Sequence, residues 1–130
     1  MDIVIDSSAL LAVILGEPER EKVVGITVGN TLIGPGSIPW EIGNAFSVML
    51  KDKRLPLGEV QKGVEIFETI PIRYVPVDMA HALFLAMRMN MYAYDAYFVD
   101  CAIRYGAPLL TLDRRLKRAA RGLKVAVLEV

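Results

Sequence analysis

Residues 94–116 read YDAYFVDCAIRYGAPLLTLDRRL, a helix signal followed closely by a strand signal. An amphipathic run follows Asp95, and Gly106 and Pro108 then end it, as glycine and proline do at helix ends. Residues 109–112 form a short apolar run, which is typical of a buried strand. We therefore expect Asp95 in the first turn of a helix and Asp113 at the carboxyl end of a strand, where parallel sheets bind ligands.

Working outward from this stretch, strand signals alternate with helix signals along the chain. Strands are predicted at residues 3–5, 31–33, 72–77, 109–112 and 125–130. Helices are predicted at residues 9–15, 18–28, 38–53, 57–70, 79–90, 95–105 and 114–121. Ser7 or Ser8 is expected to cap the first helix and Ser37 the third. This alternation predicts an α/β fold with a central parallel sheet of about five strands.

The composition favours one self-sufficient domain spanning residues 1–130. A chain of this length can bury a core without disulfides or metals as supports, and 54% of its residues are hydrophobic. This share is high for a soluble domain and indicates an apolar face for a partner or a second copy. Methionines crowd the part of the sequence that contains Met79, Met87, Met89 and Met91, which also suits an adaptable binding surface.

Charge and cysteine content narrow the class of protein. The formal net charge is zero, so no strong global field attracts nucleic acid. Cys101 is the only cysteine, which excludes a disulfide within the chain and favours an intracellular compartment. The start, MDIVID, has no basic region typical of a signal peptide, and no apolar run approaches the roughly 20 residues of a bilayer span. We therefore expect a cytoplasmic protein.

Four carboxylates occupy positions that are typical of a functional site rather than of a solvated surface. Asp6 and Asp113 each follow a predicted strand, Asp95 begins a helix, and Glu41 lies on an apolar helix face. If the four converge, their mutual repulsion requires protonation or a cation. Ligation by carboxylate oxygens alone selects Mg²⁺ or Mn²⁺, and one or two such ions suit phosphodiester cleavage by an activated water. The single histidine, His81, is distant in sequence from these acids.

The segments IDSSALL, PWEIGNAF, YDAYFVDCA and GAPLLTLD together resemble the PIN-domain ribonucleases, and more specifically the VapC-type toxins of type II toxin–antitoxin systems. The resemblance runs from residue 3 to residue 113 and includes the order and spacing of the four acids. It implies a three-layer α/β/α sandwich with Mg²⁺- or Mn²⁺-dependent endoribonuclease activity. It also implies a homodimer and a small antitoxin that blocks the acidic site.

Carried over by position, the resemblance assigns metal binding and catalysis to Asp6, Glu41, Asp95 and Asp113. Three further side chains match the family's supporting polar residues: Ser8, Asn44 and Thr111. The family more often carries a small or apolar residue where this chain has Asp100, which we expect to be a surface or dimer-edge charge. The basic cluster after Asp113 supplies candidate contacts to RNA phosphates, namely Arg114, Arg115 and Arg118.

Each of these residues also has a purely structural interpretation. Asp6 and Asp113 are suited to cap the helices that follow them, and Asp95 suits the positive end of its own helix. A non-catalytic RNA-binding or partner-binding module therefore remains an alternative function. Phosphoryl transfer through Asp6 is less well supported, because Ser8 stands where phosphatases of that kind need a second acid.

Overall fold

The computed structural model describes all 130 residues. Strands and helices alternate along the chain as predicted. In order they are β1 (Asp2–Ile5), α1 (Ser7–Ile14), α2 (Arg20–Thr27), β2 (Thr31–Pro35), α3 (Ile38–Lys51), α4 (Leu57–Thr69), β3 (Arg73–Val75), α5 (Met79–Met89), α6 (Ala93–Tyr105), β4 (Leu109–Leu110) and α7 (Arg114–Gly122).

The four strands form one parallel sheet in the order β3-β2-β1-β4. The central strand β1 is apolar, and its last three residues are almost completely buried. It pairs with β4 through Val4 opposite Leu109 and Ile5 opposite Leu110. The carboxyl ends of β1 and β4 therefore lie side by side, and the residues that follow both strands meet at one edge of the sheet.

Helices cover both faces of the sheet, which confirms the predicted three-layer α/β/α sandwich. Helix α1 packs with α2, α3 and α4, whereas α6 packs with α5 and against β1, β2 and β4. Gly106 ends α6 with a positive φ of 58° and turns the chain toward β4. Gly34 in β2 allows the start of α3 to approach closely, because a Cβ atom there would lie 2.5 Å from the Ile38 side chain. None of the helices combines the length and apolarity that crossing a bilayer requires.

Several local predictions differ from the structure. Residues 125–130 do not form a full fifth strand: Val127 makes only an isolated bridge to Leu109. Asp6, rather than Ser7 or Ser8, caps α1, by accepting a hydrogen bond from the Ala9 N–H. Ser37 stands at the N-cap of α3 but makes no capping hydrogen bond. Its hydroxyl donates a hydrogen bond to the Glu41 carboxylate instead.

Candidate acidic site

Asp6 is buried at the carboxyl end of β1 and receives three hydrogen bonds. Its Oδ1 accepts from the Ser8 hydroxyl at 2.7 Å and from the Ala9 N–H at 3.0 Å. Its Oδ2 accepts from the Thr111 hydroxyl at 2.5 Å. Each hydroxyl has one proton to donate, and both hydroxyls donate it in a hydrogen bond to Asp6. Every donor to this carboxylate is therefore an uncharged group.

Ser8 and Thr111 also connect Asp6 to the backbone of Leu112 and Asp113 through hydrogen bonds. The Leu112 N–H donates to the Ser8 hydroxyl at 2.9 Å, and the Asp113 N–H donates to the Thr111 hydroxyl at 3.0 Å. These backbone donors leave each hydroxyl proton free to point at Asp6. Ser8 and Thr111 thus hold and orient Asp6, as supporting residues behind a site do.

Glu41 lies in the first turn of α3 and is held by two serines. Its Oε1 accepts from Ser7 at 3.1 Å, and its Oε2 accepts from Ser37 at 2.8 Å. The sequence did not identify Ser7 and Ser37 as partners of this acid. The spacing of Ser37 and Glu41 offered a signal, because side chains four residues apart lie on one helix face.

Asp95 and Asp113, the other two acids, lie at the starts of two further helices. Asp95 lies half-buried in the first turn of α6, as predicted. Asp113 is exposed and caps α7, its Oδ1 accepting from the backbone N–H groups of Arg115 at 2.8 Å and Leu116 at 3.2 Å. The capping interpretation of Asp6 and Asp113 is therefore correct, and capping does not prevent a second role.

The four carboxylates interact electrostatically with one another. Burial raises the pKa of Asp6 to about 6, against the hydrogen bonds from Thr111, Ser8 and Ala9, and repulsion from Asp113 adds to the rise. Burial also raises the pKa of Glu41, with smaller contributions from Asp6 and Asp95. The pKa of Asp95 is raised by burial and by Asp113, and the Arg115 guanidinium opposes the rise. The structure thus brings the four acids into one repulsive cluster.

The chemistry of this cluster fits a hard divalent cation. Its donors are carboxylate oxygens without sulfur or imidazole, which is the ligand set of Mg²⁺ and Mn²⁺. As the side chains stand, however, no three acidic, histidine or cysteine side chains are grouped closely enough to hold one ion. Asp6, Glu41 and Asp113 direct oxygens at hydroxyl or N–H donors instead. Metal binding by the four acids therefore stays a prediction.

Two open clefts adjoin the acidic cluster, one at Asp95 and the other at Glu41. One, of about 230 Å³, is lined by Asp95 together with Arg115 and Arg118. The other, of about 530 Å³, is lined by Glu41 and the exposed Asn44. Two of the three predicted phosphate-binding arginines therefore share a cleft with Asp95, whereas Arg114 lines neither cleft.

Asp100 is not the surface charge that we expected. It is 1% exposed, its Oδ1 lies 2.7 Å from His81 Nδ1, and its Oδ2 accepts from the Asp78 N–H at 3.0 Å. His81 connects α5 to α6 through this contact. Cys101 is fully buried, and burial raises the pKa of its thiol to about 12.

The chain belongs to the PIN domain family, whose model matches residues 3–122. Curated relatives include a VapC ribonuclease of Mycobacterium bovis, which is 25% identical over 114 residues, covering 88% of this chain and 87% of the relative. Ribonuclease VapC9 of Mycobacterium tuberculosis matches to the same extent. The resemblance seen in the sequence is thereby confirmed.

Solved structures show the same fold at lower identity. PAE2754 from Pyrobaculum aerophilum superposes with a TM-score of 0.74 at 20% identity, covering 98% of this chain and 83% of that one. VapBC2 from Rickettsia felis, solved with a promoter DNA fragment, gives 0.63 at 16% identity over 99% and 98%. A toxin–antitoxin complex from Klebsiella pneumoniae gives 0.56 at 18% identity over 85% and 86%.

Proposed function

We propose that this protein is a Mg²⁺- or Mn²⁺-dependent endoribonuclease that hydrolyses RNA phosphodiester bonds. The observation that carries the proposal is the cluster of four mutually repelling carboxylates at the carboxyl end of β1 and at the starts of α3, α6 and α7. The similarity to curated VapC ribonucleases supports ribonuclease activity.

Asp6, Glu41, Asp95 and Asp113 would hold one or two divalent ions. When bound, such an ion lowers the pKa of water and neutralises charge on the phosphate under attack. Ser8 and Thr111 orient Asp6, and their hydrogen bonds lower its pKa against the larger effect of burial. Ser7 and Ser37 do the same for Glu41.

Arg115 and Arg118 would hold the RNA backbone beside these acids. Both line the cleft that contains Asp95, and guanidinium groups bind phosphate oxygens through paired hydrogen bonds. Arg115 also moderates the negative potential at Asp95. A phosphate placed there would lie close both to these guanidinium groups and to Asp95.

We further propose that the protein is the cytoplasmic toxin of a toxin–antitoxin pair and that it works as a homodimer. Two of the similar structures are described as VapBC2 and as a toxin–antitoxin complex, which supports an antitoxin partner. Helix α5 exposes Met79, Leu83 and Met87 at successive turns, with exposures of 60%, 49% and 72%. Such an apolar row suits a protein interface.

One observation favours a second candidate, a non-catalytic module that binds RNA or a protein partner. The acids are not grouped for an ion as they stand, and Asp6 and Asp113 already serve as helix caps. In that case the carboxylates would have structural roles alone.

Chelation separates the two candidates. The purified protein is incubated with labelled RNA, with EDTA, and with EDTA followed by excess Mg²⁺ or Mn²⁺. We expect cleavage that EDTA abolishes and the divalent ion restores. An Asp95→Asn variant purified in parallel reports any contaminating nuclease. If RNA stays intact under all conditions while the protein still binds it, the second candidate is correct.

A further inference from the structure

Helix α7 carries basic side chains and no acidic one. Five of its nine residues are basic: Arg114, Arg115, Lys117, Arg118 and Arg121. Only Arg121 forms a salt bridge, with Glu129 near the end of the sequence. The exposed face of α4 instead mixes both signs, and Lys62 there lies 3.7 Å from Glu59. Four basic side chains of α7 therefore lack a salt-bridge partner.

This arrangement of charge opposes the stability of the helix. Arg114 and Arg115 lie in its first turn, where the helix dipole favours acidic side chains. Arg114 also precedes Lys117 by three residues and Arg118 by four, and like charges at these spacings repel each other. A bound polyanion would relieve this repulsion, whereas no acidic side chain of the protein pairs with these four residues.

The basic residues of α7 divide between two sides of the helix. Three residues form its buried face: Leu116, Ala119 and Ala120. Arg115 and Arg118 line the cleft of about 230 Å³ that also contains Asp95. Lys117 and Arg121 line neither cleft, and the helical periodicity of about 3.6 residues per turn places them on the side away from Arg115. These two residues therefore form a basic surface outside the acidic cleft.

We propose that Arg114, Lys117 and Arg121 form an RNA-binding surface outside the acidic cleft, which holds the strand beyond the segment that is cleaved. We call these three residues the α7 surface. The inference rests on the proposed ribonuclease function and adds a second region of contact with the substrate. The helix rises about 10 Å from Arg114 to Arg121, which allows contact with more than one phosphate of a strand.

Continuity with the cleft favours RNA over an acidic peptide as the ligand of this surface. Arg114 lies one helical turn from Arg118, which lines the cleft, and three residues from Lys117. Basic side chains therefore continue from the cleft across α7. Arginine and lysine bind phosphate oxygens through charge-assisted hydrogen bonds. A strand that extends from the cleft over α7 thus meets basic side chains along this whole path.

Binding to RNA of two lengths tests this without relying on cleavage. Lys117→Gln and Arg121→Gln are introduced together into the full-length Asp95→Asn protein. Affinity is measured in Mg²⁺ for labelled oligouridylates of about four and about sixteen nucleotides, which are the limits of common single-strand site sizes. We expect the double variant to bind the longer strand roughly tenfold more weakly than the Asp95→Asn parent does. The shorter strand, which the cleft can hold alone, should bind both proteins equally.

Salt dependence identifies the lost contacts as phosphate contacts. For the longer strand, the slope of log affinity against log salt concentration should fall by roughly 1.4 in the double variant, since each phosphate contact on a single strand contributes about 0.7. Glu129→Gln should act in the opposite direction and tighten binding of the longer strand, because it frees Arg121 from its salt bridge. Arg121→Lys, which keeps the charge, should retain most of the affinity.

A matched pair of lysines controls for the loss of charge alone. Lys51 ends α3 and Lys53 follows it, and Lys51 lies about 15 Å from Glu41 by helical rise. Lys51→Gln combined with Lys53→Gln should leave the affinity for both strands unchanged. Melting temperatures equal to that of the Asp95→Asn parent show that the variants are folded.

Failure of this inference differs from failure of the proposed function. The RNA-binding role would be overturned by unchanged affinity of the Lys117→Gln, Arg121→Gln protein for the longer strand, by an equal loss with the shorter strand, or by an equal loss in the lysine control. A loss of binding to polyglutamate alone would assign the α7 surface to an acidic protein partner instead. Absence of divalent-dependent cleavage by the unmodified protein would overturn the nuclease proposal and leave the binding result intact.

Discussion

Asp6 and Asp100 are both buried, and the difference between their surroundings separates a functional site from a structural one. Asp100 faces His81 and the Asp78 N–H where α5 meets α6, so the fold itself supplies its partners. Asp6 receives only uncharged donors and faces further carboxylates, and its pKa is raised to about 6. A buried carboxylate close to other carboxylates destabilises the folded protein unless a cation binds beside it. Both aspartates thus have partners within the fold, but Asp6 also experiences repulsion from other carboxylates, which a bound cation would neutralise.

The largest expected effect is the loss of cleavage in Asp95→Asn, which we compare with Asp100→Asn in the same helix. Asp95→Asn should reduce RNA cleavage at least about a hundredfold, because mutating even a residue that only supports a metal ligand lowers activity about ten- to hundredfold. Asp100→Asn should leave the specific activity of the folded protein nearly unchanged, since it contacts α5 rather than the acidic cluster.

Cleavage by purified variants, with melting temperature as the check on folding, measures this contrast. Equal losses of activity in two well-folded variants would remove the distinction between the two regions.

A second prediction concerns pH in the absence of divalent ions. The pKa of Asp6 is about 6 in the folded protein and near 3.8 when unfolded, so the folded state binds the proton more tightly. The contribution of Asp6 is thus most favourable below about pH 4 and is lost as the pH rises through 6, by at most about 3 kcal/mol.

Denaturant unfolding at several pH values in EDTA measures this effect, with Asp6→Asn as the matched variant. Relative to the parent, Asp6→Asn should gain stability between pH 4 and 7. A difference that stays constant over this range would show that Asp6 is not destabilised by its surroundings.

A smaller effect is expected at Thr111, which holds Asp6 but touches no proposed substrate. Thr111→Val keeps the shape and removes the donor to Asp6 and the acceptor for the Asp113 N–H. Cleavage should fall roughly ten- to hundredfold, with Thr111→Ser recovering most of it. Steady-state rates for both variants test this, and full activity in Thr111→Val would exclude a positioning role.

The elements that build the site were predictable because each signal is local. Asp6 and Asp113 follow short apolar runs, and the glycine and proline after Tyr105 end α6 where the structure ends it. The strand at residues 125–130 was overpredicted, because an apolar run does not reveal how little of it pairs with a neighbour: only Val127 bridges to β4.

The burial of Asp100 and its hydrogen-bond partners could not be predicted from the sequence. Its partners His81 and Asp78 lie 19 and 22 residues away on a different element, so no local pattern indicates its burial. Ser37 was misassigned for a related reason. A serine at a helix start can donate either to the backbone or to a side chain one turn on, and only the structure shows that it donates to Glu41.

The proposed nuclease activity depends on the acidic cluster binding a hard cation, and Mn²⁺ binding measured directly by calorimetry or electron paramagnetic resonance tests this. We predict saturable binding of one or two ions by the parent, weakened strongly by Glu41→Gln and by Asp95→Asn and unaffected by Asp100→Asn. Absence of saturable binding, or binding that Glu41→Gln and Asp95→Asn leave unchanged, would contradict it.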